Sequence, residues 1–136
     1  MSDAALKLRQ SIHAALVTDA ALVTLLGGPR IYDEAPRAGS GPYVTFDDWQ
    51  AEDVSTPEKR MIQHEFALAL WAGQTSATSR NLAVAARMEQ VLHDASLVIS
   101  GHRLVFLYWK SSTSERDERS KLPRLSLAFK ALTETL

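Results

Sequence analysis

The stretch Met61-Ile-Gln-His-Glu-Phe-Ala-Leu-Ala-Leu-Trp71 decides the fold. Large apolar side chains recur at every second position from Ile62 to Leu70, with His64 among them. The intervening positions are polar or carry Ala and Trp. A repeat of two is typical of a β-strand that buries one of its faces. The stretch therefore predicts a half-buried strand.

The sequence after this strand predicts a helix and then a second strand. Residues 73–79 carry a turn and helix-start signal, and the following segment places apolar side chains on one helical face: Val84, Ala85, Met88, Val91, Leu92 and Ala95. The next apolar run breaks at Ser100-Gly101 and continues as a strand from His102. A helix laid across a sheet is the simplest way to bury the apolar faces of both.

Four further elements complete the predicted fold. A helix covers residues 3–17, and a short helix begins after Asp19 and ends at Gly27-Gly28-Pro29. Strands are predicted at 43–49 and 122–133, and residues 30–33 could form another short strand. We expect one α+β domain over residues 1–136, in the order α-α-β-β-α-β-β. Its sheet is four-stranded and mainly antiparallel, with the helices packed on one face.

Composition excludes several classes of protein. The 136 residues have a formal net charge of -1, a hydrophobic content of 46% and no cysteine. This balance does not favour general binding to nucleic acid, and it excludes disulfides and thiolate metal sites. No apolar run is long enough to cross a bilayer, and the N-terminus lacks a signal-peptide core. We expect a protein of the cytosol, or of something assembled there.

No residues in the sequence form a recognisable reaction centre. His93, Asp94 and His102 match no zinc-ligand spacing, and Asp47 and Asp48 point to opposite faces of a strand. The chain has no Gly-x-Ser-x-Gly elbow and no phosphate-binding glycine loop. We therefore predict no catalytic residue, no metal and no cofactor.

Candidate interface residues come from the tryptophans and from two polar loops. Core packing and an interface are equally open for the tryptophans, because Trp is enriched in both. Residues 50–60 and 113–121 are charged with mixed sign, which is typical of solvated hairpin loops or of loops that contact a partner protein. The predicted interface residues are Trp49, Glu52, Asp53, Trp71, Trp109, Glu115, Arg116, Asp117 and Arg119.

Several motifs, in their order and spacing, resemble a known family. They include Leu22-Val-Thr-Leu-Leu-Gly-Gly-Pro-Arg-Ile-Tyr-Asp33, Pro42-Tyr-Val-Thr-Phe46, the strand from His64 to Trp71, Val91-Leu-His-Asp94 and Leu97-Val-Ile-Ser-Gly-His-Arg-Leu-Val105. The chain resembles the small tail-completion, or tail-terminator, proteins of long-tailed bacteriophages and gene transfer agents. The motifs are structural rather than catalytic, and the charged residues 113–121 are a variable part to which no role is transferred.

The resemblance implies a structural role in a phage-like particle. Members of the family form a ring, commonly of six copies, at the head-proximal end of the tail tube. The ring ends tube polymerisation and joins the tail to the head. The implied partners are further copies of the chain, the tail tube protein and the head–tail connector protein. DNA would pass through the lumen without sequence-specific binding.

Two alternatives remain open. One is a head–tail connector or another minor structural component of the same particle, which would differ in position rather than in chemistry. The other is a small cytosolic α+β enzyme or ligand-binding module. That alternative predicts a concave pocket with converging polar groups, for which the sequence offers only His64.

Overall fold

The computed structural model describes residues 2–34, 42–73, 78–116, 118–119 and 121–136. Three helices and six strands lie within this part of the chain. They are α1 (Asp3–Val17), α2 (Ala20–Leu26), β1 (Ile31–Tyr32), β2 (Tyr43–Asp53), β3 (Met61–Trp71), α3 (Thr78–Leu92), β4 (Val98–Ile99), β5 (His102–Arg116) and β6 (Pro123–Thr135).

The strands form one sheet in the order β1-β2-β3-β6-β5-β4, so the predicted four-stranded sheet is wrong. β1 and β4 are two-residue strands at the two edges of this curled sheet. β1 runs parallel to β2 and all other neighbours are antiparallel, which makes the sheet mixed. A two-residue strand is too short to show an alternation, and the sequence pattern therefore missed β4 and left β1 open. The α+β class holds.

β5 is also longer than predicted. Residues Thr113 to Arg116, which the sequence pattern assigned to a loop, pair with Ser126 to Pro123 of β6. Their side chains are exposed on both faces, so no apolar alternation marks them as a strand. β2 likewise continues to Asp53.

The core lies between the three helices and one face of the sheet. Helix side chains Leu8, Ile12, Leu16, Leu22, Leu26, Val84, Met88 and Leu92 pack there with the strand residues Phe66, Leu68, Leu70, Leu107, Leu127 and Phe129. Most of these are completely buried. The even-numbered positions of β3 face this core, as the sequence pattern predicts, and the odd-numbered positions form the helix-free face.

Capping residues fix the starts of α1 and α2. The Ser2 hydroxyl accepts a hydrogen bond from Ala5 N at 3.3 Å, and the Asp19 carboxylate accepts one from Leu22 N at 3.0 Å. Asp19 also accepts two hydrogen bonds from Arg87 of α3, at 2.7 and 2.8 Å. The Arg87 guanidinium lowers the pKa of Asp19, although burial opposes this effect. One carboxylate therefore both caps α2 and ties it to α3.

Helix α1 connects the two edges of the curled sheet. The Ser11 hydroxyl donates to Val98 O of β4 at 2.8 Å, and His13 Nε2 lies 3.0 Å from Ile31 O of β1. Asp3 binds His102 at the start of β5, and Arg9 binds Asp33 next to β1. Two sides of α1 thus hold the two shortest strands in place.

The two long hairpins end at opposite ends of the sheet. We call the end with the β2–β3 connection, residues 54–60, the upper end, and the end with the β5–β6 connection the lower end. The register shows this directly: Asp53 pairs with Ile62 at the upper end, whereas Arg116 pairs with Pro123 at the lower end.

Candidate assembly surfaces

Trp49 packs on the helix-facing side of β2. Its indole stacks on Phe66, with ring centroids 4.3 Å apart, and its Nε1 donates to His64 Nδ1 at 3.3 Å. Simple alternation would place Trp49 on the other face, beside Tyr43. A β-bulge between Asp47 and Gln50 adds one residue and turns Trp49 toward the core.

His64 is a fully buried residue with both ring nitrogens hydrogen-bonded. Because Nδ1 accepts from Trp49, Nε2 carries the proton and donates to Thr133 Oγ1 at 2.9 Å. Burial lowers the pKa of His64 from 6.5 to about 4, and the charge of His102 adds to this effect. His64 is therefore a neutral core histidine, which argues against the alternative of a ligand pocket around it.

Trp71 lies on the helix-free face at the lower end. It stacks on Tyr43, with centroids 6.3 Å apart, and the Arg124 guanidinium lies 4.7 Å above its ring. Its Nε1 donates to Thr45 Oγ1 at 2.9 Å. Arg124 also forms an ion pair with Asp47. Sequence reasoning found Trp71 and missed Arg124, whose place beside it depends on the β3–β6 register.

Trp109 is half-buried at the edge of the core. Its backbone N–H donates to His93 Nδ1 at 3.0 Å, and its indole Nε1 donates to Ser112 Oγ at 2.9 Å. The more exposed aromatic side chain of β5 is Tyr108, which stacks on Phe106 with centroids 4.9 Å apart. All three tryptophans therefore have their indole N–H groups bonded within the chain, and their role as interface residues stays a prediction.

The charged residues predicted to lie in an interface fall into two separate groups. Glu52 and Asp53 are exposed at the upper end of β2, and Asp53 accepts a hydrogen bond from Ser55 N at 2.9 Å. Hydrogen bonding from Ser55 lowers the pKa of Asp53. Glu115, Arg116 and Arg119 are exposed at the lower end, where Arg116 donates to Lys121 O. Asp117 lies outside the described residues.

The helix-free face carries its charges mainly as ion pairs. Besides Asp47 with Arg124, Lys110 Nζ lies 3.3 Å from Glu65 Oε1. Arg103 Nε donates to Glu134 at 3.0 Å, and Lys59 Nζ lies 3.4 Å from the same carboxylate. The Arg103 hydrogen bond is the main cause of the lowered pKa of Glu134. Ala67, Ala69 and Ala128 separate these pairs, so the face combines small side chains with neutralised charges.

The described residues contain no group of three or more His, Cys, Asp or Glu side chains able to hold a metal ion. One depression, of about 940 Å³, is an open groove lined by the N-terminal half of α1, Asp33, Glu34 and Trp49. His64 does not line it. None of the helices in the described ranges has the length and apolarity to span a membrane.

These features define a class of protein. The charged ends of the hairpins and the half-covered edges of the sheet are surfaces suited to contacts with other proteins, and the groove beside α1 is open to solvent rather than enclosed. Surfaces of this kind are typical of a protein that acts through contacts with other proteins.

Comparisons with known proteins identify the family. The chain matches tail completion protein gp17 over residues 10–134 and belongs to that family. A chain in the solved structure of the virion of a native gene transfer agent (GTA) particle is similar, with a TM-score of 0.88 and 27% sequence identity. The alignment covers 98% of this chain and 99% of that chain. No curated protein matches the sequence.

Family membership confirms the resemblance found in the sequence. The protein is a structural protein of a phage-like tail. Since the family is structural, its membership argues against the enzyme alternative.

Proposed function

We propose that this protein caps the head-proximal end of a phage-like tail tube as a ring, commonly of six copies. The ring ends tube polymerisation and joins the tail to the head–tail connector. The observation that carries the proposal is the likeness, over nearly the whole chain, to a component of a GTA virion, together with the tail completion family.

The positions of the two charged groups support a protein with two axial neighbours. Glu52 and Asp53 mark the upper end, whereas Glu115, Arg116 and Arg119 mark the lower end. A ring of such subunits presents one group to the tube protein and the other to the connector protein. A protein that only ended a tube would need one such surface.

The helix-free face supports passage of DNA through the ring. Three of its cations, Arg103, Lys110 and Arg124, each bind a carboxylate of the same chain. A surface of paired charges has little net attraction for phosphates, because phosphate binding depends on available positive charge. Such a lumen would allow DNA to pass without holding it.

The test is electron microscopy of particles from a producer that lacks this gene, with the intact gene restored as the control. Overlong, headless tubes beside unattached full heads are expected. Tails of normal length that fail to attach would instead favour the head–tail connector alternative. Intact particles would overturn the structural proposal.

A further inference from the structure

We propose that the sheets of neighbouring copies join edge to edge, with the upper part of β2 in one copy pairing antiparallel with the lower part of β5 in the next. The inference rests on the proposed ring and identifies the contact that closes it. Its partner is a second copy of this chain.

The upper and lower parts of β5 differ in what covers their outer edge. β4 pairs with β5 only at His102 and Arg103. The residues that follow α3 cover the next part of this edge, since Asp94 N donates to Leu107 O at 2.7 Å and Trp109 N donates to His93. From Lys110 to Arg116, no other strand or helix of the described chain pairs with this edge.

This lower edge of β5 is suited to strand addition. Its register with β6 is regular from Ser111 to Arg116, and the side chains of this segment are exposed. The run Ser111-Ser-Thr-Ser114 contains no proline, bulge or charge, the devices that normally protect an edge strand. Small polar side chains keep such an edge soluble while leaving its backbone N–H and C=O groups accessible.

β2 shows the complementary pattern. β1 pairs with β2 only at Val44 and Thr45, near the lower end. From Gln50 to Asp53 the outer edge of β2 has no partner strand among the described residues, and the side chains are exposed. The accessible part of β2 is therefore its upper part, whereas that of β5 is its lower part.

The upper part of β2 and the lower part of a neighbour's β5 meet only if the two copies are shifted relative to each other along the strand direction. Glu52 pairs with Gln63 of β3, whereas Ser111 lies level with Ala67 of β3 through Ala128. Placing Glu52 opposite Ser111 needs a stagger of four residues, from position 63 to position 67. An even stagger is required, because directly opposite residues must lie on the same face of a sheet.

This stagger is the one that a closed barrel produces. Four residues advance about 13 Å along a strand, and the four long strands of one copy span about 19 Å across the sheet. Their ratio corresponds to a strand tilt of about 35°, within the roughly 35–45° found in β-barrels. The free edges therefore lie where a continuous barrel made of several copies needs them.

The handedness of the connection from β3 through α3 to β5 is consistent with a barrel that carries the helices on its outside. β3 and β5 run parallel, and α3 connects them across the helix-covered face. Because such crossovers are right-handed, β5 lies to the left of β2 when viewed from the helices with β2 pointing upward. The right-handed coiling of barrel strands then brings the upper part of β2 beside the lower part of the neighbour's β5. The helix-free face lines the lumen.

The side chains also match in this register. Gln50 lies opposite Thr113, so two uncharged polar side chains meet on the helix-free face. The short strands do not obstruct the contact: β1 lies below the paired segment, past Arg116 of the next copy. β4 of that copy lies above the segment, beside residues 54–60.

The test is disulfide crosslinking in assembled particles, since the wild-type chain has no cysteine. The double variant carries Glu52→Cys and Ser111→Cys, both at exposed positions. Directly opposite residues in a sheet have Cα atoms about 4.5–5.5 Å apart, within reach of a disulfide. The matched controls combine each of these changes with Ala86→Cys on the exposed side of α3.

After mild oxidation, the double variant should give a ladder of crosslinked multimers that ends at the full ring, whereas the controls stay monomeric. Assembled rings without this ladder would overturn the strand pairing and leave the proposed ring standing. Intact particles from the gene deletion would overturn the ring as well, and this result is read from particle shape without crosslinking.

Discussion

The backbone of one residue, Asp48, decides where the largest side chain of β2 lies. Asp48 has a φ of 41°, in the left-handed region that Asp tolerates better than most residues. It occupies the bulge that turns Trp49 onto Phe66 and His64. The sequence pattern shows alternation but not the residue at which alternation fails, and so the contact between Trp49 and His64 was not predictable from spacing.

His64 makes the stability of the fold depend on pH. Its folded pKa is about 4, against 6.5 in an unfolded chain. Between these values the unfolded chain binds a proton that the folded chain does not, so stability falls as the pH decreases. The loss from this group is about 3 kcal/mol between pH 7 and pH 4. Urea unfolding at several pH values measures it.

The comparison with His64→Gln isolates the contribution of the histidine. Gln fits the polar environment without titrating, so the variant should be less stable at pH 7 but lose less stability on acidification. Other groups, including Asp19 and Glu134, titrate equally in both proteins. Parallel pH profiles for wild type and variant would contradict the assignment.

Asp19 is a second residue whose contribution can be measured. Asp19→Ala removes the cap on Leu22 N and both hydrogen bonds from Arg87. We expect a loss of about 1–2 kcal/mol in the free energy of unfolding, typical of a lost helix cap. The control is Asp33→Ala, which removes an ion pair whose carboxylate side chain is 72% exposed and should cost under about 0.5 kcal/mol. Equal losses would show that the cap is unimportant.

At the scale of elements, the edges of the sheet separate stability from assembly. Ser111→Lys with Thr113→Lys adds two charges to the lower edge of β5, at exposed positions. Exposed substitutions of this kind change stability by less than about 0.5 kcal/mol. Since charged lysines on an edge oppose strand addition, rings should fail to form while the monomer stays folded. Circular dichroism and electron microscopy measure the two properties separately.

The matched control is Ala21→Lys with Ala86→Lys, two exposed helix positions on the side of the sheet away from the predicted lumen. It adds the same charge and should leave rings intact. Normal rings from the β5 variant would show that this edge makes no contact between copies.

The long elements were predictable because their apolar residues repeat. Core-facing side chains recur at every second position along β3 and β6, and α1 and α3 each bury one apolar stripe. The pattern therefore predicted that these elements exist, whether each is a helix or a strand, and their order in the chain. The edge strands were not predictable, because β1 and β4 have two residues each and are too short to show an alternation. The last residues of β5 were missed for another reason: they have a strand partner in β6 but no core to face.

At the scale of the whole molecule, the candidate interface residues form two groups at opposite ends of the sheet. Sequence alone selected residues 50–60 and 113–121 by charge, but it could not show that they lie at opposite ends. That arrangement follows from the pairing of both hairpins through β3 and β6. Because all six strands belong to one sheet, the two ends are parts of one unit.

Opposite ends should therefore give different assembly defects. Glu52→Lys with Glu58→Lys reverses charge at the upper end, and Arg116→Glu with Arg119→Glu reverses it at the lower end; all four side chains are exposed. One pair should give overlong tubes, because contact with the tube protein is lost. The other should give tails of normal length without heads, because contact with the connector is lost. Tail-length distributions and the fraction of tails carrying heads, measured by electron microscopy, distinguish the two. The same defect from both pairs would mean that both ends serve one contact.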